Sequence, residues 1–260
     1  MSTNAPALPD AFLRAPLAHR AYWDLAQARP ENSRAAIRAA VEAGYGIEID
    51  VQLSRDGAAM VFHDYALDRL TEGKGAVNAQ TAAALETIPL KAGDGRGMPQ
   101  LSDVLDIVAG RAALLIEIKD QDGGLGANIG RLEQAVAMAL TGYRGPVAVM
   151  SFNPHSVIQM AALAPDVPRG ITTCDYAAED WPMLNAAKRA RLRAIPDYDA
   201  AGASFISHQA EDLSRARVAD LKTRGAGVLC WTIRSRAQET RARRIAQNIT
   251  FEGYAAEIPA

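Results

Sequence analysis

The run Gly44-Tyr45-Gly46-Ile47-Glu48-Ile49-Asp50-Val51-Gln52-Leu53 decides how this chain is read, because two carboxylates alternate in it with branched apolar residues. At the two-residue period of a strand, Glu48 and Asp50 share one face. Ile47, Ile49 and Val51 take the other face, which is buried whether the carboxylates meet water or a pocket. Alone, the run also fits a half-exposed antiparallel strand. A second run tips the reading. Leu114-Leu115-Ile116-Glu117-Ile118-Lys119 is again apolar and strand-like, and it ends in charges, Glu117 and Lys119, on one face. Two strands that each end in inward-facing charges describe a barrel whose active site lies at the carboxyl ends of its strands.

Length and composition agree with that expectation. The chain has 260 residues, and one (β/α)8 barrel takes about 250. The expected organisation is a single α/β domain over 1–260, a TIM-type barrel with a small insertion after the second strand at about 54–100. With 49% hydrophobic residues, 22% charged and a formal net charge of −2, nothing favours nucleic acid or an anionic membrane as partner. No apolar run is long enough to span a bilayer, so no stable membrane anchor is expected. Residues 1–16 form a polar leader without a basic region followed by an apolar stretch, so no secretory signal is expected. Cys174 and Cys230 lie far apart in apolar segments without metal-ligand spacing and are expected as reduced core thiols. These features suggest a cytoplasmic location.

Outward from the deciding run, Pro16-Leu17-Ala18-His19-Arg20 is a short first strand. Its last two side chains can serve one site only if the chain turns into a loop at about Arg20. Pro30-Glu31-Asn32-Ser33 carries helix-start signals, and Gly44 a stop. After the deciding strand, Asp56-Gly57 signals a hairpin, and 59–64 returns so that His63 comes back near the end of the strand bearing Glu48 and Asp50. Residues 64–99 form an irregular excursion, and long connections of that kind are usually functional or disordered. From Leu101 the alternation is regular. Helices at 101–109, 129–140, 154–163, 183–192, 213–223 and 237–246 precede strands at 113–119, 146–151, 169–172, 203–207, 227–232 and 248–252. With the first two strands this makes eight, which argues for closure. An open doubly wound sheet is the alternative, but the Gly-rich phosphate fingerprint after the first strand is absent.

Glu48, Asp50 and Glu117 are hard oxygen donors on neighbouring strands, the type Mg²⁺ and Ca²⁺ prefer. An isolated Glu117–Lys119 ion pair is the competing explanation. Of four histidines, His19 and His63 sit at strand ends near the carboxylates, while His155 lies near a helix start and His208 in a loop. An unperturbed pKa of about 6.5 lets one imidazole act as base and another as acid near neutrality. Arg20 and Lys119 are natural phosphate contacts. One divalent cation, two histidines and two cationic side chains suit phosphoryl transfer better than glycoside cleavage.

Ala18-His19-Arg20, Pro30-Glu31-Asn32, Gly46 to Val51, Asp56-Gly57 with Val61-Phe62-His63-Asp64, Asp68-Arg69, Glu117-Ile118-Lys119, Ser151-Phe152-Asn153-Pro154 and Trp231-Thr232 follow the order seen in the glycerophosphodiester phosphodiesterase family. The resemblance runs from about Leu17 to Glu252. It implies a (β/α)8 barrel with an insertion after the second strand, a divalent cation on Glu48, Asp50 and Glu117, and His19 and His63 as the acid–base pair. It further implies phosphate contacts from Arg20 and Lys119, a supporting Glu31, and Phe152 and Trp231 lining the substrate pocket. Two positions depart from the family pattern. Ala21 stands where Gly is usual, so the backbone there is expected to avoid conformations that only Gly tolerates cheaply. The closing strand ends Phe251-Glu252-Gly253-Tyr254 rather than Thr-Asp, and Glu252 is a candidate replacement for the missing carboxylate.

The resulting expectation is a metal-dependent phosphodiesterase that converts small-molecule glycerophosphodiesters to glycerol 3-phosphate and an alcohol, using Mg²⁺ or Ca²⁺. The rivals are a related barrel enzyme of phospholipase D type acting on lysophospholipids, and a phosphoester-binding protein without turnover. The absence of a strong apolar stripe in 64–99 weighs against the first, and the presence of both histidines weighs against the second.

Overall fold

A computed structural model describes residues 6–259; the leader residues 1–5 and residue 260 lie outside the described residues. Strand β1 is Leu17–Ala18, β2 Gly46–Leu53, β3 Ala59–Val61, β4 Leu114–Ile118 and β5 Val147–Ser151. The remaining strands are β6 Arg169–Thr173, β7 Phe205–Gln209, β8 Gly227–Ile233 and β9 Asn248–Phe251. Eight of these pair in parallel in the order β1-β2-β4-β5-β6-β7-β8-β9, and β9 returns to β1 through Leu17↔Thr250 and Ala18↔Phe251, closing the barrel. The expected (β/α)8 architecture is therefore present. β3 lies outside the parallel ring, antiparallel to β2 with Val51↔Val61, as the Asp56-Gly57 hairpin signal requires.

The alternation in β2 sorts side chains between two layers. Ile47, Ile49 and Val51 pack outward with Ala36, Ile37 and Ala40, the buried residues of helix Arg34–Ala43. That helix starts where Ser33 Oγ accepts from Ala36 N at 3.1 Å and ends at Gly44, whose φ of +77° makes the left-handed cap. The inner layer is apolar toward the amino ends of the strands. Leu17, Leu115, Met150, Phe205 and Leu229 meet there. Gly170 makes room for this layer, because a Cβ on it would run into the Phe205 ring.

The floor of the barrel corrects the reading of the N-terminal stretch as a polar leader. A short helix, Ala11–Arg14, carries Phe12 into the same inner cluster, fully buried, with Leu8 and Leu13 packed beside it. Asn248 fixes the segment by donating to Phe12 O and Ala15 O at 2.6 and 2.7 Å. The excursion 64–99 packs Leu67, Val77, Leu85 and Met98 against Met60 and Phe62 of the β3 segment in a separate small core. Among the described residues, no helix is long and apolar enough to cross a membrane.

Candidate active site

In-register pairing places Asp50 opposite Glu117 and Glu48 opposite Leu115, so the three carboxylates share the inner face at the barrel mouth. All three are buried, and their ligand oxygens lie within 4.8 Å of one another. Glu117 and Lys119 do not form an isolated pair, since Lys119 Nζ bridges Glu117 Oε1 at 2.5 Å and Asp50 Oδ1 at 2.7 Å. Arg20 Nε stands 3.8 Å from Asp50 Oδ2. Burial alone would raise the Asp50 carboxyl, but Lys119, His63 and Arg20 outweigh it and hold it well below the usual range. Burial would lower both cations, but Asp50 and Glu117 outweigh it at Lys119, and Asp50, Glu31 and Glu48 at Arg20, so both are strengthened.

Glu48 is treated differently. Its carboxylate accepts from Arg20 N at 2.9 Å and has no ion-pair partner among the described residues. Burial, then the charges of Asp50 and Glu117, push its carboxyl well above the usual range. Ionised together, these three groups call for more positive charge than Lys119 and Arg20 supply. A cluster of hard oxygen donors short of positive charge fits a divalent cation of the Mg²⁺ or Ca²⁺ kind. Asn32, buried and with φ of +58°, donates from Nδ2 to Asp50 Oδ2 at 2.9 Å and so orients that carboxylate. The sequence reading used Asn32 as a helix-start signal and quoted it in a motif, without giving it a role at the site.

His19 and His63 enter from two sides, each tied to a carboxylate. His19 Nδ1 lies 2.5 Å from Glu252 Oε2, and Arg234 Nε donates to Glu252 Oε1 at 2.8 Å. Burial would raise the Glu252 carboxyl, yet His19 and Arg234 bring it down to about 2. Burial lowers the His19 imidazole by more than Glu252 raises it. His19 is therefore a neutral ring at pH 7 that donates Nδ1–H to Glu252 and keeps the Nε2 lone pair free. His63 Nδ1 lies 2.7 Å from Asp64 Oδ1, and Arg69 clamps Asp64 through Nε and Nη2, both at 2.7 Å. Burial would raise the Asp64 carboxyl, but His63 and Arg69 hold it well below the usual range. Arg69 also reaches Glu31, which accepts from Arg20 Nη1 at 2.8 Å. Asp64 and Arg69 stood in the quoted motifs without a role; the adjacency His63-Asp64 was the available signal.

The turn at Arg20 that a shared site requires is present, with φ of +55° at Arg20 and +66° at Ala21. The second value overturns the expectation that Ala21 avoids the left-handed region. Ala21 N donates to Glu48 O, and Asn32 N to Arg20 O, at 2.9 and 2.8 Å. Backbone bonds worth about 1 kcal/mol each offset a left-handed cost of about 1–2 kcal/mol. His208 also departs from its expected loop. β7 runs on to Gln209, and His208 is buried on its outward face, bonded to Thr173 Oγ1 at 2.6 Å and Asp212 Oδ2 at 3.2 Å.

Two connected spaces open at the mouth. The inner cleft, about 170 Å³, is lined by His19, Arg20, the three carboxylates, His63, Lys119, Thr250 and Arg234. Arg20 Nε and Thr250 Oγ1 are buried there without a hydrogen-bond partner, which leaves a donor and a hydroxyl free for a bound group. The outer cavity, about 790 Å³, shares His63, Glu117, Lys119, Phe152 and Trp231 with it but not His19. The site thus holds two oriented histidines, a cation-seeking carboxylate cluster and cationic side chains, a set able to move protons onto and off the oxygens of a bound phosphodiester.

Comparison with known proteins agrees. The sequence model of the Glycerophosphoryl diester phosphodiesterase family matches residues 19–248. A glycerophosphodiester phosphodiesterase of Caldanaerobacter subterraneus is 33% identical over 163 residues, 59% of this chain and 65% of that one. YhdW of Bacillus subtilis, provisionally named for the same activity, is 27% identical over 238 residues, covering 88% of this chain and 90% of its own. Among solved structures, an Oleispira antarctica phosphodiesterase in complex with the product sn-glycerol-3-phosphate superposes with a TM-score of 0.74 at 24% identity. That match covers 93% of this chain and 94% of the other, and shows the shared fold.

Proposed function

This chain belongs to the glycerophosphoryl diester phosphodiesterase family, and from that premise we propose that it hydrolyses the deacylated head-group diesters of phospholipids to glycerol 3-phosphate and an alcohol. The observation that carries the proposal is the pair of histidines, each oriented by its own carboxylate, flanking a cluster of three buried carboxylates. Glu48, Asp50 and Glu117 would hold the divalent cation, Mg²⁺ or Ca²⁺, which when bound supplies Lewis-acid charge to the phosphoryl oxygens. Arg20 and Lys119 bind the phosphate, with the free Arg20 Nε as one donor. Glu31 supports Arg20, and Phe152 and Trp231 close the apolar side of the pocket.

The two spaces divide the roles of the histidines. The glycerol phosphate half occupies the inner cleft, and the alcohol half the outer cavity, which only His63 borders. His19 Nε2 takes the proton of the glycerol 2-hydroxyl as that oxygen attacks phosphorus, and His63 gives a proton to the departing alkoxide. A cyclic phosphate results. In the second half, His63 takes a proton from the attacking water while His19 returns its proton to the 2-oxygen, leaving glycerol 3-phosphate and both rings as they began. A nucleophile inside the substrate gains the entropic advantage of an intramolecular reaction. Neither cysteine competes as a nucleophile, because burial pushes the Cys174 and Cys230 thiols up to about 12. Reduced thiols also suit the proposed cytoplasmic location and a place in lipid and glycerol metabolism. The test is turnover of a panel of glycerophosphodiesters after chelation and after return of Mg²⁺ or Ca²⁺. Activity abolished and then restored is expected, and full turnover by metal-free protein refutes the cation's part.

A further inference from the structure

The outer cavity carries more chemistry than a leaving group strictly needs. Phe152 stands 5.0 Å from Trp181, 5.5 Å from Trp231 and 6.4 Å from Tyr176, centroid to centroid, at angles of 56°, 83° and 85°. Rings set steeply to one another present their faces in several directions, and each face is the negative side of an aromatic quadrupole. Phe152, Trp181 and Trp231 border the cavity and are only partly buried, so those rings are available to an occupant.

Charge at the rim points the same way. Asp175 and Asp180 line the cavity, and neither has an ion-pair partner among the described residues. Asp175 Oδ1 accepts only from Ala177 N. The one lysine in the lining, Lys119, is already held by Asp50 and Glu117, and Gln52 Nε2 is bound to His63 O. The space therefore combines aromatic faces with uncompensated negative charge and offers no free lysine or arginine in its lining.

We infer that this cavity selects diesters whose alcohol is cationic, above all a quaternary ammonium such as choline. The inference rests on the proposed phosphodiesterase reading for the placement of the alcohol half. Methyl groups on a positive nitrogen pack against rings while the charge interacts with their faces and with Asp175 and Asp180. A polyol alcohol can give hydroxyl protons to Asp175 and Asp180 but brings no positive charge to the ring faces or the carboxylates, and an alcohol bearing a carboxylate is repelled.

The test compares kcat/KM for glycerophosphocholine, glycerophosphoglycerol and glycerophosphoinositol. The expected result is a preference of about tenfold or more for the choline diester over the two polyol diesters, the scale of a cation–π cage. That ratio should shrink in Trp181→Ala and in Asp180→Lys; Asp180 is exposed, so the second variant reads charge without endangering the fold. Equal turnover of the three head groups, or a preference for a polyol diester, overturns the inference and leaves the phosphodiesterase reading standing. If no diester is turned over, that reading fails, and the cage is then read by titrating tetramethylammonium against tryptophan emission. Saturable quenching that weakens in Asp180→Lys supports it, and a flat titration overturns it.

Discussion

Replacing Glu252 by Gln probes the least expected part of the site, the carboxylate that holds His19. The charge-assisted bond at 2.5 Å is of a kind worth about 1.5–3 kcal/mol; applied fully to the transition state, that is roughly ten- to over a hundredfold in rate at 1.36 kcal/mol per decade. The neighbouring donor makes the upper end the better figure. Arg234 Nε can only donate, and it points at Glu252 Oε1 at 2.8 Å. In Glu252→Gln it therefore fixes the amide oxygen on its own side and turns the NH₂ toward His19. Nδ1 must then accept, which moves the imidazole proton to Nε2, the atom required as base. A fall in kcat of about a hundredfold is expected, bounded by the two to four decades of losing a positioned base altogether. In an Arg234→Met background the amide can flip, so the same substitution should cost less. The pH profile supplies a second reading. Glu252 raises the His19 imidazole against the larger effect of burial, so removing its charge should move the acid limb of kcat/KM to lower pH. A variant that keeps nearly the parental kcat, or whose acid limb moves upward, refutes the reasoning.

The other expectations are readily separated from this one. His19→Ala and His63→Ala should each lower kcat by about two to four decades, whereas His155→Ala should leave it near parental and His208→Ala should act on stability, by about 1–3 kcal/mol in denaturant melts, through the buried bonds it breaks. The stability contributed by Glu252, whose carboxyl is depressed to about 2 from an ordinary 4.5, is fully present above 4.5 and lost as pH falls toward 2; thermal melts of parent and Glu252→Gln should converge across that interval. Ala21→Gly relieves a left-handed cost of about 1–2 kcal/mol but forfeits a buried methyl and gains unfolded-state entropy, so near-neutral stability is expected, with Ala21→Val clearly destabilising. A 2-O-methyl glycerophosphodiester should not turn over, and a cyclic phosphate should be trapped from the parent substrate; equal rates would leave direct attack by water.

The barrel was legible because inner and outer layers demand different residues at a period of two. In β2 and β4 that alternation named both the outward core and the three inward carboxylates, and pairing of Asp50 with Glu117 needs only equal strand starts. His19 was legible for a different reason, as the residue that ends a short apolar run at the first strand. Phe12 was not, since one aromatic in a polar stretch has no periodicity, and only the closed barrel creates the floor it fills. Trp181 and Tyr176 were missed likewise. They sit in the irregular stretch between β6 and the helix Ala186–Arg193, where no period marks which rings will converge. The Glu252–His19 contact spans 233 positions, and only closure of β9 onto β1 brings them together. Ala21 was misjudged because a local propensity was weighed without the tertiary hydrogen bonds that override it.

A regular βα repeat brings one loop to the mouth per strand, so a second histidine facing the carboxylates of β2 has to come from somewhere else. Here β3 supplies it. The antiparallel return pairs Val61 with Val51, and Phe62 N then donates to Asp50 O at 3.0 Å, which sets the next residue, His63, beside the end of β2. Gln52 Nε2 holds His63 O at 3.1 Å from the same strand. The hairpin thus fixes the distance between His63 and the carboxylates through backbone pairing rather than through a long loop, while His19 is fixed from the opposite side by β1, whose own neighbours are β2 and β9. Both histidines hang from strands paired to the one that bears Glu48 and Asp50, so backbone pairing rather than independent loops sets where the two rings stand relative to those carboxylates.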